Sequence, residues 1–544
     1  MPIQDILLDL ITPQNQHGSD DDDLIIGSLF DDTIDAKAGD DVVFGLLGDD
    51  EINGGDGEDE VNGGFGDDAL NGGNDVDQLF GGFGDDTIAG NRGDDLMFGG
   101  FGDDMLVWNN GDGSDLMVGG QGDDRVQVNF NTDLVNDDLQ NKDVAEFSVT
   151  DEGVQFARVE VNDQAVNGLF QLDIRQTETL ETNFGGGDDT ARLIDTILDE
   201  IALDLDGGDG VDLLDLSQVA GPVVVQLAKG AVGSAIAENF ENVIGTEFDD
   251  RIIGDGADNV ISGLGGVDRI FGRDGDDILV ANKGDDFVFG GAGDDKLVWN
   301  NGDGSDLMFG GRGYDLVQVN FDTDLVNDDL QNKDVAEFSV TDEGVQFARI
   351  ELNDQAVNGL FQLDIRKTEA LETNFGGGDD AAVIVDNVLH EIVLDLDGGA
   401  GVDLLDFSQA DGPVDVDLAA GTIGTSTAVN FENVTGTDAN DVIRGDDQDN
   451  VIRGGAGNDV MSGGAGADTF VFFEDDIGVD VILDFEVNVD RLQFVTTDPG
   501  VTAGTLVDAL SQAGDDVELS VNGKLITIED AQVGDFGADA FLIA

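Results

Sequence analysis

The sequence predicts an all-β protein: a parallel β-roll or β-helix solenoid in tandem blocks, with a small β-rich region at the C-terminal end. Three observations lead there. Long stretches repeat every nine residues without a gap. Each nine-residue row carries one apolar side chain at a fixed place, between two polar or outward ones, which is the period of an extended strand. The composition joins 40% hydrophobic residues and 32 Phe to 80 Gly, which suits a core threaded by tight turns.

The first seventeen residues lack Lys and Arg, and their apolar run is broken by Asp9. They are read as a cap or anchor segment, 1–17, and not as a secretory signal peptide. No stretch approaches the 18 apolar residues of a membrane-spanning helix, so no membrane insertion is expected.

From Gly18 to Val107 ten rows follow one another. Gly63-Gly-Phe-Gly-Asp-Asp68-Ala-Leu70-Asn71 is representative. The sixth position is acidic in all ten: Asp23, Asp32, Asp41, Asp50, Asp59, Asp68, Asp77, Asp86, Asp95 and Asp104. The eighth is apolar in all ten, from Ile25 to Leu106. A two-residue slip at Trp108-Asn109 precedes two further rows with Asp115 and Asp124. A second block begins at Gly245, with Asp250, Asp268, Asp277, Asp286 and Asp295, then Asp306 and Asp315 after the same slip at Trp299-Asn300. A third, from Gly436, carries Asp441, Asp459 and Asp468, and isolated rows add Asp212 and Asp403. Asn259 and Asn450 replace the acid in two rows. Over this lies a longer repeat: Trp108 to Asp189 returns as Trp299 to Asp380 with nine differences in 82 positions. The segmentation is therefore 18–127, 245–318 and 436–471 for the rolls, 128–244 and 319–435 for two inter-roll β segments, and 472–544 for a C-terminal capping region.

The inter-roll segments alternate as strands do in Val154–Val161 and Leu169–Ile174. They are read as wider coils of the solenoid or a small β module bulging from it. Residues 195–201 and 386–392 suit either a short helix or a strand. The two tryptophans fill the irregular coil at the slip, with a sugar-stacking platform as the sharper alternative.

Two rows make a coil of 18 residues, and coils stack about 4.8 Å apart. The sixth-position Asp then forms a ladder of carboxylates along each edge of the roll. Stacked charges at that spacing repel by on the order of 1 kcal/mol or more per neighbour. A hard cation with oxygen ligands removes the cost, and Ca²⁺ accepts a flexible cage of carboxylates and turn carbonyls better than Mg²⁺. The formal charge of −98, from 120 acidic against 22 basic residues, excludes nucleic acid and anionic membrane surfaces as partners. The absence of Cys excludes disulfides and thiolate chemistry. No zinc-protease or Gly-x-Ser-x-Gly motif is present, since His390-Glu391 lacks the second His, and no enzymatic activity is expected.

The rows resemble the Gly-Gly-x-Gly-x-Asp-x-apolar-x nonapeptide of the RTX calcium-binding β-roll proteins. The resemblance implies that the sixth-position Asp residues above, with glycine-turn carbonyls, hold multiple Ca²⁺ ions. It also implies weaker sites at Asn259 and Asn450, and at rows whose fourth residue is not Gly, such as those of Asp21, Phe30 and Asp75. Gly463–Phe472, Gly478–Phe485 and Asp490–Phe494, with the terminal Asp539-Ala-Phe-Leu-Ile-Ala544, are similar to the ending of RTX proteins exported by the type I secretion machinery. The expected protein is secreted, folds on calcium outside the cell, and acts as a structural, self-associating component of the cell surface or matrix, a surface layer or filament. A calcium-dependent adhesin that binds cell-surface glycans is the alternative, and a polysaccharide-modifying enzyme the third reading.

Overall fold

The computed structural model describes residues 12–13, 15–109, 111–130, 143–150, 153–161, 169–300, 302–320, 334–341, 344–352, 361–366, 368–386, 388–521 and 523–544. The chain forms two compact units, Met1–Ile270 and Phe271–Ala544. Each is a parallel β-solenoid. No described helix is long and apolar enough to cross a membrane.

In the first unit each row folds as a strand followed by a turn, and successive rows fall alternately on two faces. Glu51–Asp56 pairs in parallel with Ala69–Asn74, Ile52 opposite Leu70, so one coil is 18 residues. The opposite face is built likewise, with Val61 beside Leu79 in Glu60–Phe65 and Gln78–Phe83. The eighth-position side chains point between the faces, and Ile34, Val43, Ile52, Val61, Leu79, Ile88 and Leu106 are essentially buried. The slip at Trp108 lengthens a coil to 20 residues, Met105 pairing with Arg125. Trp108 is fully buried, packs edge-on to Phe130 and donates from Nε1 to the Gly113 carbonyl at 2.9 Å. Trp299 repeats the arrangement with Gly304 in the second unit. Both tryptophans are core fillers; with no exposed ring face, neither is a sugar platform.

The inter-roll segment combines the two forms anticipated for it. Leu169–Arg175 joins the parallel stack beside Leu116–Gln121, and Asp143–Thr150 joins it beside Thr190–Asp195. Between them Gly153–Val161 pairs antiparallel with both, inserting a three-stranded meander into a single coil. Phe361–Arg366, Gly344–Leu352 and Asp334–Thr341 do the same in the second unit. Ile197–Glu200 and Val388–Glu391 are single helical turns, which decides the two ambiguous stretches.

Most of the segment 1–17 lies outside the described residues; Asn15–His17 pairs in parallel with Thr33–Asp35. In the second unit the C-terminal region closes the roll. Lys524–Ile528 continues one face beside Val479–Ile482, and Phe541–Ile543 continues the other beside Arg491–Val495. Ahead of both in the chain, Ala503–Ala509 is a helix started by a Thr502/Thr505 capping box.

Candidate metal centre

The sixth-position aspartates sit where the strand of one row leaves the turn before it, and the fold stacks them in two ladders. On one edge the amide of Asp50 donates to Oδ1 of Asp68 and that of Asp68 to Oδ1 of Asp86, each at 2.8 Å. On the other edge Asp41, Asp59 and Asp77 donate in the same sense to Asp59, Asp77 and Asp95, at 2.8–2.9 Å. Each carboxylate thus has one oxygen tied to the neighbouring coil.

The second oxygen is different. Oδ2 of Asp41, Asp50, Asp59, Asp68, Asp77, Asp86, Asp95, Asp104, Asp115 and Asp124 is buried without a hydrogen-bond partner. The same holds for Asp212, Asp295, Asp306, Asp315, Asp403, Asp459 and Asp468. A buried polar group left unpaired costs about 1–3 kcal/mol, and more when charged. Native proteins do not leave such an array unanswered.

The surroundings of Oδ2 are oxygen-rich and glycine-only. A Cβ placed on Gly54 would stand 2.5 Å from Asp59 Oδ2 and 2.6 Å from the carbonyl oxygen of Gly72 in the next coil. A Cβ on Gly73, whose φ is +129°, would collide with the Gly55 carbonyl. The turns are stacked so tightly that their carbonyls line the space a side chain would need. Among the described residues no three His, Asp or Glu side chains converge as a ready-made ligand set. An ion between coils would therefore take one carboxylate oxygen per rung and complete its shell with backbone carbonyls. That donor set, hard oxygen throughout and anionic, fits Ca²⁺.

Burial and neighbouring carboxylates push the protonation equilibria up. Desolvation is the main cause, with charge repulsion from adjacent rungs adding to it. Asp50 and Asp59 are raised to about 6, Asp68 and Asp86 to about 7, and Asp77 and Asp115 to about 8. Asp306, Asp403 and Asp459 follow the same pattern, at about 8, 7 and 7. Without a cation the ladder resists ionisation.

The ladder extends past the nonapeptides. Glu178 accepts from the amide of Asp124 at 2.8 Å, and Glu241 from that of Asp212 at 2.8 Å. Glu369 and Glu432 repeat this for Asp315 and Asp403. Asp189 and Asp380 are buried rungs beneath Asp212 and Asp403. Asp480 and Asp490 continue the two edges above Asp459 and Asp468. Sequence spacing missed all eight, because these coils are longer than 18 residues and some use Glu. The Gly-Gly-Gly-Asp-Asp runs at 185–189 and 376–380 were the available signal. Asp75, in a row expected to be weak, adopts φ +78° at the fourth position and serves in place of Gly, so Asp77 keeps an unanswered Oδ2 like its neighbours.

The family profile described as "RTX calcium-binding nonapeptide repeat (4 copies)" matches residues 17–52, 37–70, 45–79, 71–106, 110–136, 244–279, 271–298, 301–327 and 435–470. This chain carries RTX calcium-binding nonapeptide repeats. RTX repeats are calcium-binding, and proteins that carry them are typically secreted. A search of curated proteins finds no match. Among solved structures, the chain aligns with the extracellular lipase LipA from Serratia marcescens at 18% identity and a TM-score of 0.17. The alignment covers 62% of this chain and 45% of the lipase, so this chain spans less than half of that protein's length. A score that low carries no argument about fold or activity.

Proposed function

We propose that this protein folds when calcium loads its carboxylate ladders outside the cell, and that it acts as a structural, self-associating component of a cell surface or matrix. The observation that carries the reading is the row of buried Asp Oδ2 atoms without partners, recurring coil after coil. Carboxylates so placed make the calcium-free chain poorly folded and suited to export through a type I machinery. Millimolar calcium couples binding to folding. The sixth-position aspartates would hold the ions together with the turn carbonyls, and the ions would supply charge neutralisation and cross-links between coils.

Self-association is supported by an apolar stripe. Leu47, Phe65, Phe83 and Phe101 lie in register on one face, each 40–53% exposed, and the phenyl rings stack at 4.6 and 4.7 Å. An exposed apolar stripe of this kind marks an interaction surface. Electron microscopy of the calcium-loaded chain tests this: sheets or filaments are expected, and discrete monomers at high concentration would contradict it.

One observation favours a second, adhesin-like reading. A groove of 410 Å³ lined by Asp188, Thr190, Val211, Asn242 and Val260 has a counterpart of 420 Å³ in the second unit, lined by Asp379, Val402, Asn433 and Val451 at the equivalent positions. A duplicated groove that sets carboxylate and amide side chains among apolar ones suits a repeated ligand such as a surface glycan, and a glycan array reads it directly. Neither reading gives the chain a catalytic role.

A further inference from the structure

Not every rung of the ladder is alike. In the nonapeptide rows of all three blocks the second residue is left-handed, whatever its type: Lys37 (φ 83°), Gly64 (φ 117°), Asn91 (φ 65°), Arg273 (φ 97°) and Gly455 (φ 100°) are examples. Six rows depart, at Ser19, Ser28, Thr246, Asp255, Thr437 and Asp446, none of which has positive φ. They are the first two rows of each block, one coil in each case: 18–35, 245–262 and 436–453.

In these six rows the second residue closes the rung itself. The amide of Thr246 donates to Asp250 Oδ2 at 2.6 Å, and its hydroxyl to Oδ1 at 2.9 Å. Thr437 treats Asp441 alike, through its amide at 2.6 Å and its hydroxyl at 3.0 Å. Ser19 donates through both groups to Asp23 Oδ2 at 2.6 and 2.8 Å, and Ser28 binds both oxygens of Asp32. In the other two rows the rung is an amide. Asn450 accepts from the Asp446 amide at 2.9 Å and donates to the Glu432 carbonyl at 2.8 Å. Asn259 does the same with Asp255 and Glu241. A neutral donor thus occupies a carbonyl that a cation would otherwise use. The contrast is sharp: Asp68 and Asp459, in rows with a left-handed second residue, keep a buried Oδ2 without a partner.

We propose that the three opening coils take no calcium, their rungs being saturated by side-chain and backbone hydrogen bonds, and that metal loads only the rungs whose second residue is left-handed. The inference rests on calcium binding by the ladder. It removes Asp23, Asp32, Asp250 and Asp441 from the ligands that the repeat pattern implies, and explains why Asn is tolerated in these rows. The opening coils at 18–35 and 436–453 then each offer a pre-formed edge, free of a metal requirement, on which calcium-dependent coils stack within the same unit.

Bound calcium counted on the full-length chain by equilibrium dialysis tests it. Asp68→Asn is expected to lose bound ions, whereas Asp250→Asn and Asp441→Asn keep the wild-type number. Asn is the residue the chain itself uses at 259 and 450, so the change is one these coils accommodate. Thr437→Gly, which restores a Gly-Gly row and frees Asp441, is expected to gain an ion. Loss of calcium from Asp250→Asn or Asp441→Asn equal to that from Asp68→Asn would overturn the inference, as would no gain in Thr437→Gly. A wild-type chain that binds no calcium would instead overturn the function proposed above.

Discussion

At Asp68 the two carboxylate oxygens have different surroundings. Oδ1 accepts the Asp50 amide at 2.8 Å, while Oδ2 is buried against glycine turns with no donor in reach. Truncation by Asp68→Ala therefore removes a ligand and also orphans the Asp50 amide. It is expected to lower stability in calcium by about 1–3 kcal/mol and to weaken calcium binding at adjacent rungs, read by calcium titration of the far-ultraviolet dichroism. Protons compete for the same oxygens. Folding raises these aspartates from the ordinary value near 3.8 to about 6 for Asp50 and about 8 for Asp77, so the ionised forms oppose the calcium-free fold. For a raised pKa the stabilising contribution is fully present below about 4 and is lost as pH rises through about 6 to 8. The chain in excess chelator should thus recover β-structure on acidification from pH 8 to 4; a spectrum independent of pH would contradict it. The surplus acid also has a local role. Fifth-position aspartates are exposed, yet Asp49, Asp67 and Asp85 accept the amides of Asp67, Asp85 and Asp103 at 2.8–2.9 Å.

Among elements, the C-terminal strand Lys524–Ile528 brings a cation to the end of a ladder. Lys524 is 5% exposed, with Nζ 3.8 Å from Asp476 and 3.9 Å from Asp480. Asp476 is held as well by Arg453 at 2.6 Å, and Asp480 is itself a rung, accepting the Asp459 amide. Lys524→Met leaves two buried carboxylates short of charge and is expected to destabilise by about 3–5 kcal/mol, the usual cost of breaking a buried ion pair; thermal denaturation in calcium measures it. The regular coils were legible in the sequence because two constraints, the sixth-position acid and the eighth-position apolar residue, recur at constant spacing. Rungs at Glu178, Glu241, Glu369 and Glu432 were not, since a meander or a longer coil separates each from the rung it joins and removes the constant spacing. Nor was the difference between opening and later rows: it lies in the backbone angle of one residue and the hydrogen bond that angle permits. The inter-roll β pattern was visible, but the choice between coil and inserted meander depended on strand partners far apart in the chain.

Across the molecule, composition and fold answer each other. A charge of −98 is compatible with a core because much of the acid is buried in register beside the apolar side chains that build that core, where calcium is able to cancel it. Among the described residues, apart from the turns, each unit has little regular structure that does not belong to a coil, an inserted meander or the closing C-terminal strands. Folding and metal loading should therefore be one transition, with Mg²⁺ a poor substitute because of its tighter octahedral demand. If self-association runs through the aromatic stripe, replacing Phe65, Phe83 and Phe101 together by Ser should abolish assembly and leave calcium-driven folding intact, as sedimentation and dichroism would show. Trp108 and Trp299, both fully buried beside the slips, report the state of the two units. The most direct measurement is their fluorescence, followed with far-ultraviolet dichroism as the full chain in excess chelator is titrated with calcium. A blue-shifted emission and a β spectrum that emerge together only at saturating calcium are predicted; full β signal and buried tryptophans in chelator would contradict the account.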